Sequence, residues 1–186
     1  MTVKDIIYIT ATIIGREDLI SYFEGKTEKP KDCTIETIDV MVRLCNLVVN
    51  ELACSFVPLK KKQKLKASNG KIYYTSLEFS PLSIIKATSS TGSNSLIRVD
   101  SEYVVVKDDF VILEYSYFPK QLSLESDVGY LESDVPARVL AYGLASEYAI
   151  SQGCFKDAVM WHKRYADSIS NICAPKNHVV KERVWL

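Results

Sequence analysis

Five lysines lie within residues 60–66, and four of them recur at every second position: Lys60, Lys62, Lys64 and Lys66. Because successive side chains of a β-strand point to opposite faces, this spacing on a strand would place the four ammonium groups in one row. Such a row could contact phosphate groups, or an acidic surface of a neighbour such as the loop 125–134. It could equally protect the edge of a sheet from pairing with another chain. No aromatic residue alternates with the lysines, so stacking on bases is not indicated.

Signals for catalysis are weak. The two histidines are His162 and His178. A proton-transfer role for His162 would require a carboxylate within reach, and Asp157, five residues away, is poorly placed on a helix. Partly buried packing beside Trp161 and Tyr165 is the favoured interpretation of His162. The sequence contains no nucleophile elbow, phosphate-binding loop or zinc-protease motif. We therefore predict a protein that is not an enzyme, with no catalytic, cofactor-binding or metal-binding residues.

The cysteines and the charge balance limit the class of protein further. The cysteine spacings match no metal or redox pattern, which favours buried thiols in a reducing cytoplasm. Lysine plus arginine and aspartate plus glutamate number 23 each, so nucleic-acid binding is not indicated by net charge. No apolar run is long enough for a membrane span, and residues 1–18 do not resemble a signal peptide. The five cysteines are Cys33, Cys45, Cys54, Cys154 and Cys173.

The N-terminal third has helical periodicity. Apolar residues in 3–14 recur at mostly helical spacing, and Gly15 ends the run. A short helix over 17–23 should follow. Thr34 is predicted to be the N-cap of a long amphipathic helix that ends near Phe56, before Pro58.

The segment 59–118 is predicted to be rich in β-strands. Asn69-Gly70 lies between two alternating runs, which is a strong hairpin signal. Further turn residues delimit short strands over 83–89, 96–99, 103–106 and 110–117. Connections this short favour an antiparallel meander folded into a small sandwich or half-barrel.

Two helices are predicted over 135–172. Small and apolar residues nearly encircle the first, which indicates burial on several sides. Gly143 within it costs about 1 kcal/mol relative to alanine, so a packing reason is expected. The second should bury one apolar face that is formed by Phe155, Val159, His162, Tyr165, Ala166, Ile169 and Ile172.

The tail after these helices has no helical or strand period and ends in Trp185-Leu186. A large aromatic side chain at a chain end needs a surface to cover it. The residues alone leave two possibilities open, docking onto the chain itself and insertion into a partner.

Together these patterns predict an α+β fold in which 1–58 and 119–173 form a helical bundle. Within it, 59–118 is a β-rich insert, and 174–186 is an extended C-terminal arm.

Three blocks of the chain resemble the head–tail connector, or adaptor, proteins of tailed bacteriophages. They are VKDII with GREDL near the N-terminus, MVRLCNLVVNELACSFVPL at 41–59, and the C-terminal helices with ARVLAYGLASEY and WHKRY, followed by an Arg-x-Trp ending. The resemblance implies a virion structural protein at the portal vertex, made in the host cytoplasm. The β-rich insert is larger than in the all-helical connectors, so the subclass is not specified.

The resemblance also implies partners. Such proteins form rings, expected to hold twelve subunits, that join the portal protein to tail or stopper proteins and continue the DNA channel. Genomic DNA passes through without sequence-specific binding, and no membrane is involved. The portal-binding arm would consist of Lys181, Arg183, Val184, Trp185 and Leu186, while Lys60, Lys62, Lys64 and Lys66 would face the lumen or a neighbour.

Two other functions stay open. The chain could be another phage tail or stopper ring component in which the β-rich segment makes the main ring contacts. Less in keeping with the resemblance, it could be a small cytoplasmic enzyme or a DNA-binding protein that uses the lysine strand. Strong, salt-dependent binding of duplex DNA by the isolated chain would favour the latter, and little binding is expected.

Overall fold

The computed structural model describes residues 1–26, 31–130 and 134–174. In these ranges the protein has five α-helices and two small antiparallel sheets, so the α+β class is confirmed. The helices are α1 (Val3–Ile14), α2 (Glu17–Phe23), α3 (Asp32–Ser55), α4 (Ala137–Ser151) and α5 (Phe155–Cys173). The strands are β1 (Leu59–Lys66), β2 (Lys71–Tyr73), β3 (Pro81–Ser89), β4 (Leu96–Val99), β5 (Tyr103–Val106) and β6 (Phe110–Tyr117).

The N-terminal helices have sharply defined ends. Thr2 and Asp5 form a reciprocal capping box at the start of α1, and Gly15 ends the helix at φ 72°, a left-handed conformation that glycine adopts without strain. Helix α2 has the predicted bounds. The N-cap of α3 is Lys31 and not Thr34. Thr34 lies inside the first turn because its own amide already donates to the Lys31 carbonyl at 2.9 Å.

Helix α4 packs against α1, α3 and α5. A Cβ added at Gly143 would lie 2.7 Å from Val48 Cγ1 and 3.1 Å from Tyr165 Cε2. The expected packing reason for this glycine is therefore confirmed, since the backbone of α4 lies directly against side chains of α3 and α5.

The six strands form two three-stranded sheets. The first sheet has the order β1-β6-β3 and the second sheet the order β2-β5-β4. Three strands have the predicted bounds, while β3 begins two residues early, at Pro81. Both sheets contribute to one apolar cluster, in which Leu113 and Tyr115 of the first sheet meet Ile72 and Val104 of the second.

The pairing of the strands differs from the predicted meander. Asn69 and Gly70 have positive φ angles of 53° and 70°, as the predicted tight turn requires, and Ser68 and Lys71 exchange backbone hydrogen bonds across it. The flanking strands then separate, because β1 pairs along its whole length with β6 while β2 pairs with β5. The turn therefore joins two sheets and does not begin a long hairpin.

A second apolar cluster lies among the helices, and the chain returns to it after the sheets. Leu59, Val128 and Tyr130 belong to this helical cluster, and Tyr117 packs against both clusters. The amide group of Asn46 on α3 holds the returning loop through the backbone nitrogen and oxygen of Leu122, at 2.7 and 2.9 Å. Among the described helices, none combines the length and apolarity that a membrane crossing requires.

Candidate functional site

The predicted row of lysines lies on β1, an edge strand of the first sheet. Lys60, Lys62, Lys64 and Lys66 are all exposed, and the residues between them are at least partly covered. The alternation expected from the sequence is therefore present. The edge position is also the one that protection against further strand pairing would use.

A fifth lysine lies on the same face of the sheet but belongs to the opposite edge strand, β3. Glu114 on β6 pairs with Lys62 on one side and with Lys86 of β3 on the other. Its Oε2 atom lies 3.7 Å from Lys62 Nζ and 3.4 Å from Lys86 Nζ, and its side chain is only 14% exposed. We define the lysine face as the five side chains Lys60, Lys62, Lys64, Lys66 and Lys86.

The neighbouring Lys61 belongs to a different environment. It points to the opposite face of β1, where its ammonium group lies 3.0 Å from Glu78 and 5.5 Å from the centre of the Phe79 ring. Gln63, on the same face, accepts hydrogen bonds from the Tyr115 hydroxyl and the Glu78 amide, both at 3.2 Å. These contacts hold Lys61 and Gln63 on the partly covered face of β1. The side chains of Lys60, Lys62 and Lys64 therefore point to the other, exposed face.

One end of the lysine face carries an aromatic ring. Phe110 on β6 is 63% exposed, and Lys66 Nζ lies 5.7 Å from its ring centre. Lys64, Ser90 and Ile112 line the same shallow groove. Neither Lys86 nor Phe110 was identified as a site residue from the sequence, since both come from strands whose register with β1 depends on tertiary pairing.

A second exposed surface is apolar and lies at the corner between α4 and α5. Phe155 is 68% exposed and Val159 is 71% exposed, so the predicted burial of these two residues is wrong. Ser146 of α4 donates a hydrogen bond to the Ala158 carbonyl at 3.1 Å, and Trp161 stacks on Tyr142 at 5.9 Å. These contacts turn the first half of α5 so that Ala158 and Trp161 face α4.

The apolar corner consists of four exposed side chains, Ile150, Phe155, Val159 and Met160. Met160 and Trp161 also line a groove that includes Ile13 and Tyr148. Arg16 closes one side of this groove. It donates to both carboxylate oxygens of Asp18 at 2.8 Å and also to the Tyr148 hydroxyl, and this pairing lowers the pKa of Asp18 to about 2.

His162 and Ala166 are exposed as well, so the predicted partial burial of the histidine is also wrong. The rotation that brings Ala158 and Trp161 onto α4 carries His162 away from the core. Tyr165 and Ile169 are buried as predicted, and Ile172 is partly covered. His178 lies outside the described residues.

The cysteines also differ from the prediction. Cys45 is buried, and burial raises the pKa of its thiol to about 12. Cys33, Cys54, Cys154 and Cys173 are exposed, because they lie at or near helix ends. Within the described ranges, His, Cys, Asp and Glu side chains do not gather in threes as a metal site would require.

The five residues of the predicted arm, Lys181, Arg183, Val184, Trp185 and Leu186, lie outside the described residues.

Neither a scan against protein-family models nor a search of the curated proteins finds a match for this chain.

Proposed function

We propose that this chain is the subunit of an adaptor ring that joins the portal to the tail of a tailed bacteriophage. The three sequence blocks and their order support the assignment. The structural observation that carries it is the apolar corner, where the end of α4 and the first half of α5 leave four large apolar side chains exposed in the isolated chain. In this proposal the ring lies at the portal vertex of the virion and continues the DNA channel.

The apolar corner has the composition of a protein interface. Contiguous exposed apolar surface on a monomer commonly marks a binding site. Aromatic residues, methionine and arginine are enriched in interface cores. Of the corner residues, Met160 lines a groove with Trp161, Tyr148 and Arg16. A closed ring requires two different complementary surfaces on each subunit, and the corner is our candidate for one of them.

The corner can be tested separately from the fold. Replacing Phe155 and Val159 with serine should leave the free energy of unfolding nearly unchanged, because both side chains are already in water. Ring formation on the portal should be lost. The matched control is Lys156→Ser with Lys163→Ser, two exposed positions on the same helix. Electron microscopy of portal complexes would show the rings, and wild-type rings from the double serine variant would exclude the corner as an interface.

The portal-binding role is assigned to the C-terminal arm. Deleting 181–186 should abolish binding to portal rings while circular dichroism of the monomer stays unchanged. The control variant is Lys176→Ala with Asn177→Ala, which alters the same tail and keeps the Arg-x-Trp ending. Unchanged portal binding by the deleted chain would overturn the arm assignment.

One observation favours a second candidate, a tail or stopper ring component whose β-rich segment makes the main contacts. The second sheet also exposes large side chains, those of Tyr73, Ile97 and Val99. If this candidate is correct, replacing Ile97 and Val99 with serine should prevent ring formation and the corner variant should not. Imaging of virions would show whether the chain lies next to the portal or further along the tail.

A further inference from the structure

We infer that the lysine face is a contact surface for the phosphate backbone of a nucleic acid. The inference deepens the proposed function, because it names DNA as the partner of this face, and its position in a channel rests on that function. The binding itself does not require a ring. It can therefore be tested on the full chain without a portal.

The charge of the face is the first argument. Five lysines share this face with one carboxylate, that of Glu114, which lies between Lys62 and Lys86. Among the described residues, no carboxylate lies within salt-bridge distance of Lys60, Lys64 or Lys66. Four positive charges therefore remain in excess on one side of a sheet, although the whole chain is neutral. Acids lie near both ends of the row: Asp108 and Asp109 are in the turn before β6, and Asp134 lines one groove together with Lys60.

The shape of the face is the second argument. Lys60 and Lys66 are six residues apart on one strand, which spans about 20 Å. Lys86 lies two strands away, about 10 Å to the side. A linear row of flexible cations matches a linear row of phosphates, which need no deep pocket and no dehydration of the ammonium groups.

The residue type decides between a nucleic acid and an acidic protein surface. Lysine is depleted in protein–protein interfaces, since its ammonium group is strongly hydrated and its long side chain loses rotamer entropy when fixed. Electrostatic contacts to phosphates keep that hydration. Edge protection could account for lysines on β1 and on β3, since both are edge strands. It does not require that the lysines of the two strands share one face, as Lys62 and Lys86 do around Glu114.

Phe110 adds a feature that single-stranded DNA can use. Its ring is largely exposed at the end of the row and beside Lys66. A base freed from a duplex can stack on such a ring, and stacking of this kind contributes about 1–3 kcal/mol per base. Phe110 should therefore favour single strands, while the lysines should bind both single and double strands.

The test is fluorescence anisotropy with a labelled oligothymidine of about 20 nucleotides and a duplex of the same length, titrated with the full chain. Weak binding is expected, with a Kd of about 10–100 μM at low salt. The logarithm of the association constant should fall with the logarithm of salt concentration with a slope of about −3 to −4, as expected for four or five phosphate contacts.

Variants make the test specific. Replacing Lys60, Lys62, Lys64 and Lys66 with glutamine should weaken binding of both oligonucleotides at least about tenfold and flatten the salt slope to near −1. The control replaces four exposed lysines elsewhere with glutamine: Lys31, Lys120, Lys156 and Lys163. It removes the same charge and should retain the steep slope. Phe110→Ser should weaken binding of the single strand only.

Two results would overturn the inference. The first is an equal loss of binding in the variant that lacks the four lysines of β1 and in the control variant. It would mean that only the overall charge of the chain matters. The second is displacement of DNA by polyglutamate at equal charge concentration, which would show that the face does not prefer phosphates to carboxylates and would favour an acidic protein surface as the partner. Either result leaves portal binding through the arm untouched, so failure here is distinguishable from failure of the adaptor assignment.

Discussion

Two buried tyrosines of the helical cluster differ in what their hydroxyl groups contact. The Tyr130 hydroxyl donates to the Val57 carbonyl at 2.5 Å. The Tyr165 hydroxyl is buried and has no hydrogen-bond partner among the described residues. Burial raises the pKa of both phenols, so both are neutral at physiological pH. The same substitution at the two positions therefore removes a hydrogen bond in one case and an unsatisfied polar group in the other.

Tyr130→Phe should lower the free energy of unfolding by about 1 kcal/mol, because the Val57 carbonyl loses its donor. Tyr165→Phe should leave stability unchanged or raise it slightly, since no bond is lost and a buried polar atom is removed. Urea titration of both variants beside the wild type measures the difference. An equal loss in the two variants would show that Tyr165 has a partner after all.

Single residues were predictable from the sequence where backbone geometry decides their role. Gly15 and Asn69-Gly70 have the positive φ angles that their types suggested. His162 and the exposed cysteines were predicted wrongly, because their burial depends on which way a helix is rotated against its neighbours. A rotation of the buried face of α5 by about 60°, less than the 100° between successive residues of an α-helix, is enough to expose His162 and to cover Trp161.

At the scale of elements, the contact between α4 and its neighbours depends on Gly143. Ordinarily, replacing a helical glycine with alanine stabilises by about 1 kcal/mol. Here the new methyl group would lie 2.7 Å from Val48 Cγ1, which a close-packed core cannot accept without movement. The steric cost should exceed the gain in helix propensity.

We therefore expect Gly143→Ala to destabilise the chain by about 1–3 kcal/mol. Thermal and urea unfolding monitored by circular dichroism at 222 nm would measure the change. Ser170→Ala, at an exposed position of α5, is the control and should be neutral or slightly stabilising. A Gly143→Ala protein as stable as the control would mean that α3 and α5 can move away from α4 at little cost.

The ends of elements were more predictable than their pairing. The bounds of β4, β5 and β6 follow from turn residues next to each strand, and such signals are local. The partners of β1 and β2 do not follow, because β6 is more than forty residues from β1 along the chain and contacts of that range leave no mark at the turn. The candidate lysine face shows the same division: its row on β1 was predictable, whereas Lys86 and Phe110 were not.

At the scale of the whole molecule, the sheets leave and rejoin the helices at one place. Leu59 at the start of β1 pairs with Tyr117 at the end of β6. Leu59 belongs to the helical cluster, and Tyr117 packs against both clusters. Opening the helical cluster should therefore disturb this junction. A probe in the centre of α3 would detect such an opening.

Cys45 is such a probe. Its thiol is buried in the helical cluster with a pKa raised to about 12, so neither access nor ionisation favours its reaction in the native protein. The four other cysteines are exposed. A disulfide reagent such as DTNB should therefore modify four thiols quickly and the fifth only when the cluster opens.

The slow reaction should speed up when stability falls, because its rate follows the population of the open form. Gly143→Ala should accelerate it about five- to 150-fold, which is the factor that a loss of about 1–3 kcal/mol implies. Cys45→Ala identifies the phase, since this variant should retain the four fast thiols and lack the slow one. Five fast thiols in the wild type would show that the helical cluster opens readily, and an unchanged slow rate in Gly143→Ala would show that Cys45 reacts through a local opening that does not involve α4.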